Sequence, residues 1–361
     1  MLWLAHLAVA IAPELASPSQ TGSLLALTAD IERPELQEIA CLSVAKNGSV
    51  LLNKVANFKR SIFTVSTGYA PESDALDLAV SQGMLRIVRF DLRTRTLSDG
   101  VDVDIEGCSD GPGSCFLNLE YWTGHSSFVA AAVGWAEPGK AAVNAIVSIN
   151  ATSGRVAKVA EFSSKCGVLS DATALDAATG AFYVTLDCGP GNGGVGIHRA
   201  DVASGRMEVV ANETDIDSAL SPLEFSPGIG LIGFRSVQQS SAPQSNLSMN
   251  EVMVVNSDGT ISRLSKRAHV QGGINPQCHA VAAHAPHMAP HAPRAPIATS
   301  TAAAIGPPGW VVVQLFPAPY KCAIAAFDLA TGNSSGPMPM GSVLLSGLTF
   351  IPPSRQRPPL C

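Results

Sequence analysis

"IAAFDLATGN" at residues 324–333 ends an apolar run on Asp328 and passes at once into a Thr-Gly turn. The same form recurs as "IVRFDLRTRT" (87–96), "IVSINATSGR" (146–155), "IHRADVASGR" (197–206) and "VMVVNSDGT" (252–260), and a shorter version, "LSVAKNGSV" (42–50), begins the series. Between Asp91, Asn150, Asp201, Asn256 and Asp328 the intervals are 59, 51, 55 and 72 residues. Each copy predicts a strand that ends in a tight hairpin. The Asp or Asn side chain accepts from backbone N–H groups ahead of it, and a glycine takes the positive φ the turn needs.

A second beat falls between the first ones: "LEYWTG" (119–124), "LDAATG" (175–180), "LEFSPG" (223–228) and, more loosely, "FTVSTG" (63–68) and "LTFIPP" (348–353). Most copies lead into another apolar strand, such as "AFYVTL" (181–186) or "IGLIGF" (229–234). One unit is therefore four short antiparallel strands in about 50 residues, the pattern of a propeller blade. Helix-period patterning of any length is absent. A pair of β-sandwiches also uses short strands at regular spacing, but does not predict two beats recurring around the chain.

Six first beats predict an all-β, six-bladed β-propeller, with a seventh blade within 278–304 as the alternative. The series opens on a first beat at Leu42 and closes on a second beat, "LTFIPP", and these orphans complement each other. The C-terminal strand is thus expected to complete the blade begun by the N-terminal segment, which removes the exposed edges of an open sheet. "FDLATG" and "LDAATGAFYVTL" resemble secreted or periplasmic propellers of the quinoprotein-like, YVTN-like and strictosidine-synthase-like kinds. The resemblance spans most of 42–353. It implies the fold and no particular activity, because its motifs are turn chemistry that many propellers share.

The domain reading is a signal peptide at 1–16 and a single propeller domain at 24–361. "MLWLAHLAVAIAPELAS" supplies an apolar run from Leu2 to Ala12 and small-residue cleavage sites, although no Lys or Arg precedes the run. A buried N-terminal strand or helix is the alternative. No later stretch is long and apolar enough for a transmembrane segment. Hydrophobic residues make up 46% of the 361 and charged ones 14%, enough apolar material for a large core. The net charge of -6 argues against nucleic acid, which requires a basic face.

Eight cysteines, an even number, fit an oxidising compartment. The expected bridges are Cys108–Cys115 across a six-residue loop, Cys166–Cys188 flanking a hairpin, Cys278–Cys322 bracketing the insertion, and Cys41–Cys361 at the closure, among the many connectivities that eight cysteines allow. N-glycosylation sequons begin at Asn47, Asn150, Asn212, Asn246 and Asn333, several of them on expected turns. With the signal segment these point to the secretory pathway and a glycosylated protein outside the cell; a monomer is expected.

Three sets of residues could carry chemistry. Glu120, Asp176 and Glu224 share one position of the second beat, so they could form an acidic ring around the channel and hold a cation or a cationic ligand. His279, His284, His287 and His291 lie in a Pro/Ala/His-rich loop insertion at 278–304; imidazole is a common metal ligand, but proline separates them and no geometry is preformed. Asp102, Asp104 and Glu106 alternate along one strand face near Asp99 and Asp110, oxygen ligands suited to Ca²⁺ or simply a solvated face. "GPGNGGVG" (189–196) precedes a strand, whereas a phosphate-cradling loop needs a helix after its glycines. No nucleophile elbow and no Cys–His pair stands out. The functional expectation is a recognition module that binds a protein, peptide or glycan on its channel face. The alternative is a lactonase- or strictosidine-synthase-like hydrolase or lyase with a divalent cation or acidic group in the channel. A quinone-dependent oxidoreductase would need a cofactor site for which no residues stand out.

Overall fold

A computed structural model describes residues 23–30, 33–44, 50–58, 63–81, 85–103, 116–135, 141, 143–213, 219–237, 249–264, 269–271, 303–305, 310–318, 321–329, 338–341, 343–351 and 360. Among them there is no helix. β1 (Ser23–Asp30), β2 (Arg33–Val44) and β3 (Val50–Phe58) open the first sheet. The second holds β4 (Phe63–Ala70), β5 (Ala75–Ser81) and β6 (Leu85–Asp91), with β7 (Thr96–Leu97) and β8 (Val101–Asp102) both on β6. The third is β9 (Phe116–Trp122), β10 (Ser127–Trp135), β11 (Val143–Asn150) and β12 (Val156–Phe162). The fourth is β13 (Gly167–Asp176), β14 (Ala181–Asp187), β15 (Val195–Asp201) and β16 (Met207–Asn212). The fifth comprises β17 (Leu223–Ser226), β18 (Gly230–Val237), β19 (Met249–Val255) and β20 (Ile261–Arg263), with β21 (His269–Gln271) also on β19. The sixth is β22 (Ala303–Ile305), β23 (Trp310–Ala318), β24 (Lys321–Asp328) and β25 (Met338–Gly341). The last strand, β26 (Val343–Ile351), returns to the first sheet and pairs antiparallel with β1, Leu24 opposite Phe350 and Thr28 opposite Leu345.

This closure is the one anticipated from the orphan beats. The C-terminal strand becomes the innermost strand of a sheet whose other three strands come from the N-terminal end. The innermost strands form a closed ring: β4 packs on β26 and β9, β13 on β9 and β17, and β22 on β17 and β26. The protein is a β-propeller of antiparallel sheets around a central channel.

The core lies between sheets. One apolar layer joins the second and third sheets through Leu85, Ile87, Leu119, Phe128 and Val147, and another joins the third and fourth through Val129, Ile146, Phe182 and Val184. Middle strands are therefore covered on both faces and read as nearly continuous apolar runs, as in β11 and β14. Outer strands such as β12 show polar residues to solvent. Phe128 and Phe182 occupy the same place, one residue into the second strand of their sheets, and are fully buried. Truncating either to Ala should remove about 3–5 kcal/mol. The Cys166–Cys188 bridge, 22 residues apart in sequence, ties β13 to the end of β14. A loop of that length is stabilised by about 3 kcal/mol on closure.

The first-beat turns after Asp91, Asn150 and Asp201 form as their sequence implies. Asp91 Oδ1 accepts from the N–H groups of Arg93 at 2.9 Å and Thr94 at 2.7 Å. Asn150 Oδ1 accepts from Thr152 and Ser153, and Asp201 Oδ1 from Ser204. Their glycines have a second role. A Cβ built on Gly205, whose φ is +71°, would lie 2.4 Å from the Val159 carbonyl oxygen of the preceding sheet. Gly154 and Gly259 meet Asp102 O and Val210 O of their own preceding sheets in the same way. In these three sheets the glycine is thus where the outer hairpin docks on its neighbour.

A second lock binds the second sheet to the third. Tyr121 of β9 lies over Gly68 of β4, where a Cβ would come within 1.8 Å of the ring. Its hydroxyl donates to the buried Asp77 Oδ2 at 2.8 Å, and Arg89 forks onto both oxygens of Asp77 at 2.7 and 2.9 Å. Burial, and then the Asp77 charge, push the Tyr121 phenol far above its ordinary range, so it stays a donor.

Candidate functional site

Antiparallel order puts the two kinds of turn on one face. The inner hairpins at 71–74, 123–126, 177–180 and 227–229 and the first-beat hairpins after Asp91, Asn150, Asp201 and Asn256 all close the same ends of their strands. The opposite face holds the strand ends Trp135 and Val143, Asp187 and Val195, Asn212 and Leu223, and Val237 and Met249, which unequal numbers of residues separate in sequence. Segment 189–194 is a loop with glycines at positive φ followed directly by β15, as its sequence implied.

Each inner strand runs from the opposite face to the tight-turn face. Glu120 on β9 pairs with Val129, and Glu224 on β17 pairs with Ile232. Both stand two residues before the end of their inner strand, where the tight hairpin begins. Thr173 of the intervening β13 donates from Oγ1 to Glu120 Oε1 at 2.8 Å. The Glu224 carboxyl is enclosed by protein, and its Oε1 is sealed from solvent without a hydrogen-bond partner. The residue as a whole still keeps some accessible surface, as expected of a side chain bordering an internal channel. Burial first, and then the negative charge of Glu120, raise the Glu224 carboxyl well above the usual carboxylate range. Two acids across three consecutive inner strands therefore lie near each other, and Glu224 holds its proton more tightly than an ordinary carboxyl. Such a pair can receive a cation, or serve as acid and base.

Asp176 takes a different place. It ends β13 opposite Ala181, and its carboxylate accepts from the Ala178 N–H at 3.1 Å and the Thr179 hydroxyl at 2.5 Å. In register it corresponds to Trp122 of β9, while the residue matching Glu120 in that strand is Ala174. Trp122 Nε1–H donates to Ala177 O of the next hairpin at 3.0 Å, and its indole stacks on His125. Asp176 thus sits at the channel rim and shapes its hairpin. Thr173 had no signal in the sequence, since it has no counterpart in the other beats.

The other sequence candidates divide between described and undescribed residues. Asp102 is half exposed and pairs with Arg86 Nε at 2.8 Å, and Asp99 is exposed; Asp104, Glu106 and Asp110 fall outside the described residues. So do His279, His284, His287 and His291, Cys108, Cys115, Cys278 and Cys361, residues 1–22, and Asn47, Asn246 and Asn333. Asn150 and Asn212 are exposed. Cys41 is disulfide-bonded, and Cys322 lies on β24. No group of three or more His, Cys, Asp or Glu side chains with metal-holding geometry occurs among the described residues. No helix among them is long and apolar enough to cross a membrane.

No family model and no curated protein sequence matches this chain. Solved structures with similar folds include hydrazine synthase of Kuenenia stuttgartiensis, at 11% identity over 85% of this chain and 76% of that one, with a TM-score of 0.44. Oligogalacturonate lyase of Vibrio parahaemolyticus is 10% identical over 81% and 88%, with a TM-score of 0.39. A xyloglucanase of Xanthomonas campestris is 12% identical over 93% of this chain and 55% of its own, also at 0.39. At such identities the likeness concerns architecture and carries no functional argument.

Proposed function

We propose that this protein is a secreted, glycosylated, six-bladed propeller that acts as a binding module through its channel, with Glu120 and Glu224 as the ligand-contacting residues and Asp176 at the rim. The observation that carries the reading is the Glu224 carboxyl: enclosed, beside a second carboxyl, with one oxygen lacking any hydrogen bond. A buried acceptor without a partner costs about 1–3 kcal/mol, and a ligand that donates to it recovers that free energy. Export is supported by the Cys166–Cys188 bridge, the oxidised Cys41 and the exposed sequons at Asn150 and Asn212. The blade count rests on the six sheets and their closed inner ring.

The test is a peptide and glycan array probed with the full chain from a secreting eukaryotic host, beside a Glu120→Gln/Glu224→Gln double variant. Retained ligands that the double variant no longer holds support the reading. Identical profiles would sink it.

The raised proton affinity of Glu224 beside a second carboxyl favours one second reading, a lactonase- or strictosidine-synthase-like hydrolase or lyase. Glu224 would then act as the protonated acid and Glu120 as the charged base. A lactone and ester turnover screen with metal analysis separates the two. Turnover abolished by Glu120→Gln, with or without a stoichiometric divalent cation, would replace binding with catalysis.

A further inference from the structure

The described inner hairpins carry acids and no Lys or Arg. Glu72 and Asp74 lie at 71–74, Asp176 leads into the turn at 177–180, 123–126 holds His125 stacked on Trp122, and 227–229 holds no charged residue. An approach from the tight-turn face therefore crosses an acidic rim and then meets Glu120 and Glu224 two residues inside their strand ends, with Thr173 three residues inside its own. At about 3.3 Å per strand residue the two glutamates lie at roughly 7 Å of depth, close to the reach of a lysine side chain. The three side chains offer two carboxyls and one hydroxyl. An ammonium group has three N–H donors and no acceptor, whereas Ca²⁺ takes six to eight oxygens and a guanidinium spreads five donors in a plane.

We propose that the channel end formed by Glu120, Thr173 and Glu224 takes a primary alkylammonium group entering from the tight-turn face. This rests on the binding reading above and names its ligand chemistry. A lysine side chain of a protein and the end of a polyamine share that chemistry. The unbonded Glu224 Oε1 is the acceptor the ligand completes, and Glu120, oriented by Thr173, supplies the negative charge.

The experiment is calorimetric titration of the full chain with n-butylammonium, 1,5-diaminopentane and a lysine-containing tripeptide. The comparison ligands are n-butanol, methylguanidinium, CaCl₂ and MnCl₂. The variants are Glu224→Gln and, as a control on the outer strand β12, Glu161→Gln. Saturable binding of the ammonium ligands, weakened about tenfold or more in Glu224→Gln and unchanged in Glu161→Gln, is the expected result. Preference for the diamine over the tripeptide assigns a free polyamine, and the reverse assigns a protein side chain. Equal ammonium affinity in wild type and Glu224→Gln overturns the proposal. Stoichiometric Ca²⁺ or Mn²⁺ binding that Glu224→Gln removes, with no ammonium binding, overturns it while leaving the channel as a binding site. If array ligands bind independently of both glutamates, the channel reading itself fails. Thermal unfolding of Glu224→Gln, run in parallel, shows that lost binding is not lost folding.

Discussion

Glu224 is held in the native protein at some expense of stability, and the sign of the effect can be worked out. Burial and the Glu120 charge raise its folded carboxyl above the unfolded value, so the native state keeps a proton that the unfolded chain releases. Its contribution to stability is fully present below the ordinary glutamate range and is lost as pH rises through the raised folded value. Glu224→Gln keeps the shape and removes the charge. Urea unfolding should therefore give nearly equal stabilities for variant and wild type at about pH 4 and a variant advantage at about pH 8. A constant difference across that range would contradict the assigned environment. The gain in stability and the loss of binding from one substitution separate a site residue from a structural one. The shared repeat position of Glu120 and Glu224 was legible in the sequence, and the place of Asp176 was not. In "LEYWTG" the Thr-Gly pair opens the turn, at 123–124, whereas in "LDAATG" it closes it, at 179–180. Aligning the dipeptides slides one strand by two residues, which preserves the face and hides the slip.

Among the elements, the outer hairpins show how a repeat can carry an inter-sheet contact in one residue. Gly205→Ala would add both a left-handed backbone penalty and a methyl group 2.4 Å from Val159 O, so a loss of about 2–4 kcal/mol is expected in denaturant unfolding. A loss no greater than the backbone penalty alone, about 1 kcal/mol, would show that the hairpin shifts freely on its neighbour. The second sheet departs from this pattern in an informative way. Arg95 stands at the glycine position with φ +58°, its N–H donating to Asp91 O at 2.9 Å, and its side chain is exposed. Arg95→Gly should stabilise by about 0.5–1 kcal/mol, because relief of the left-handed strain outweighs the added freedom of the unfolded chain. Thermal unfolding at matched salt would check it, and a lower midpoint would count against the turn assignment. The turn chemistry was visible in sequence because an Asx turn is local. The Tyr121–Gly68–Asp77–Arg89 lock was not, since it joins residues up to 53 positions apart through geometry that no repeat position announces.

For the whole molecule, closure by β26 is the decisive feature. Deleting 343–361 would leave the first sheet without its inner strand and open the ring between β4 and β22, exposing two edges. Such a chain should lose its cooperative unfolding transition, followed by circular dichroism; a retained transition would mean that the ring does not depend on closure. Leu360 packs in the same apolar layer as Leu25, Ile39 and Cys41, which supports the proposed Cys41–Cys361 staple. Non-reducing peptide mapping should recover those two cysteines in one joined peptide, and Cys41 joined elsewhere would refute the staple.

From the residues alone came the strand-turn rhythm, the reading as a propeller, the closure by the terminal strand, and the acids worth watching. All of these depend on local turn chemistry or on counting repeats. Only the tertiary structure decided which acids meet, because register and inter-sheet packing are set by turn length and by contacts far apart in the chain. It also separated the two faces of the ring, with the tight turns and the acidic end of the channel near one of them. Strand direction alternates through each sheet, and no linear pattern states which end of the channel a side chain will approach.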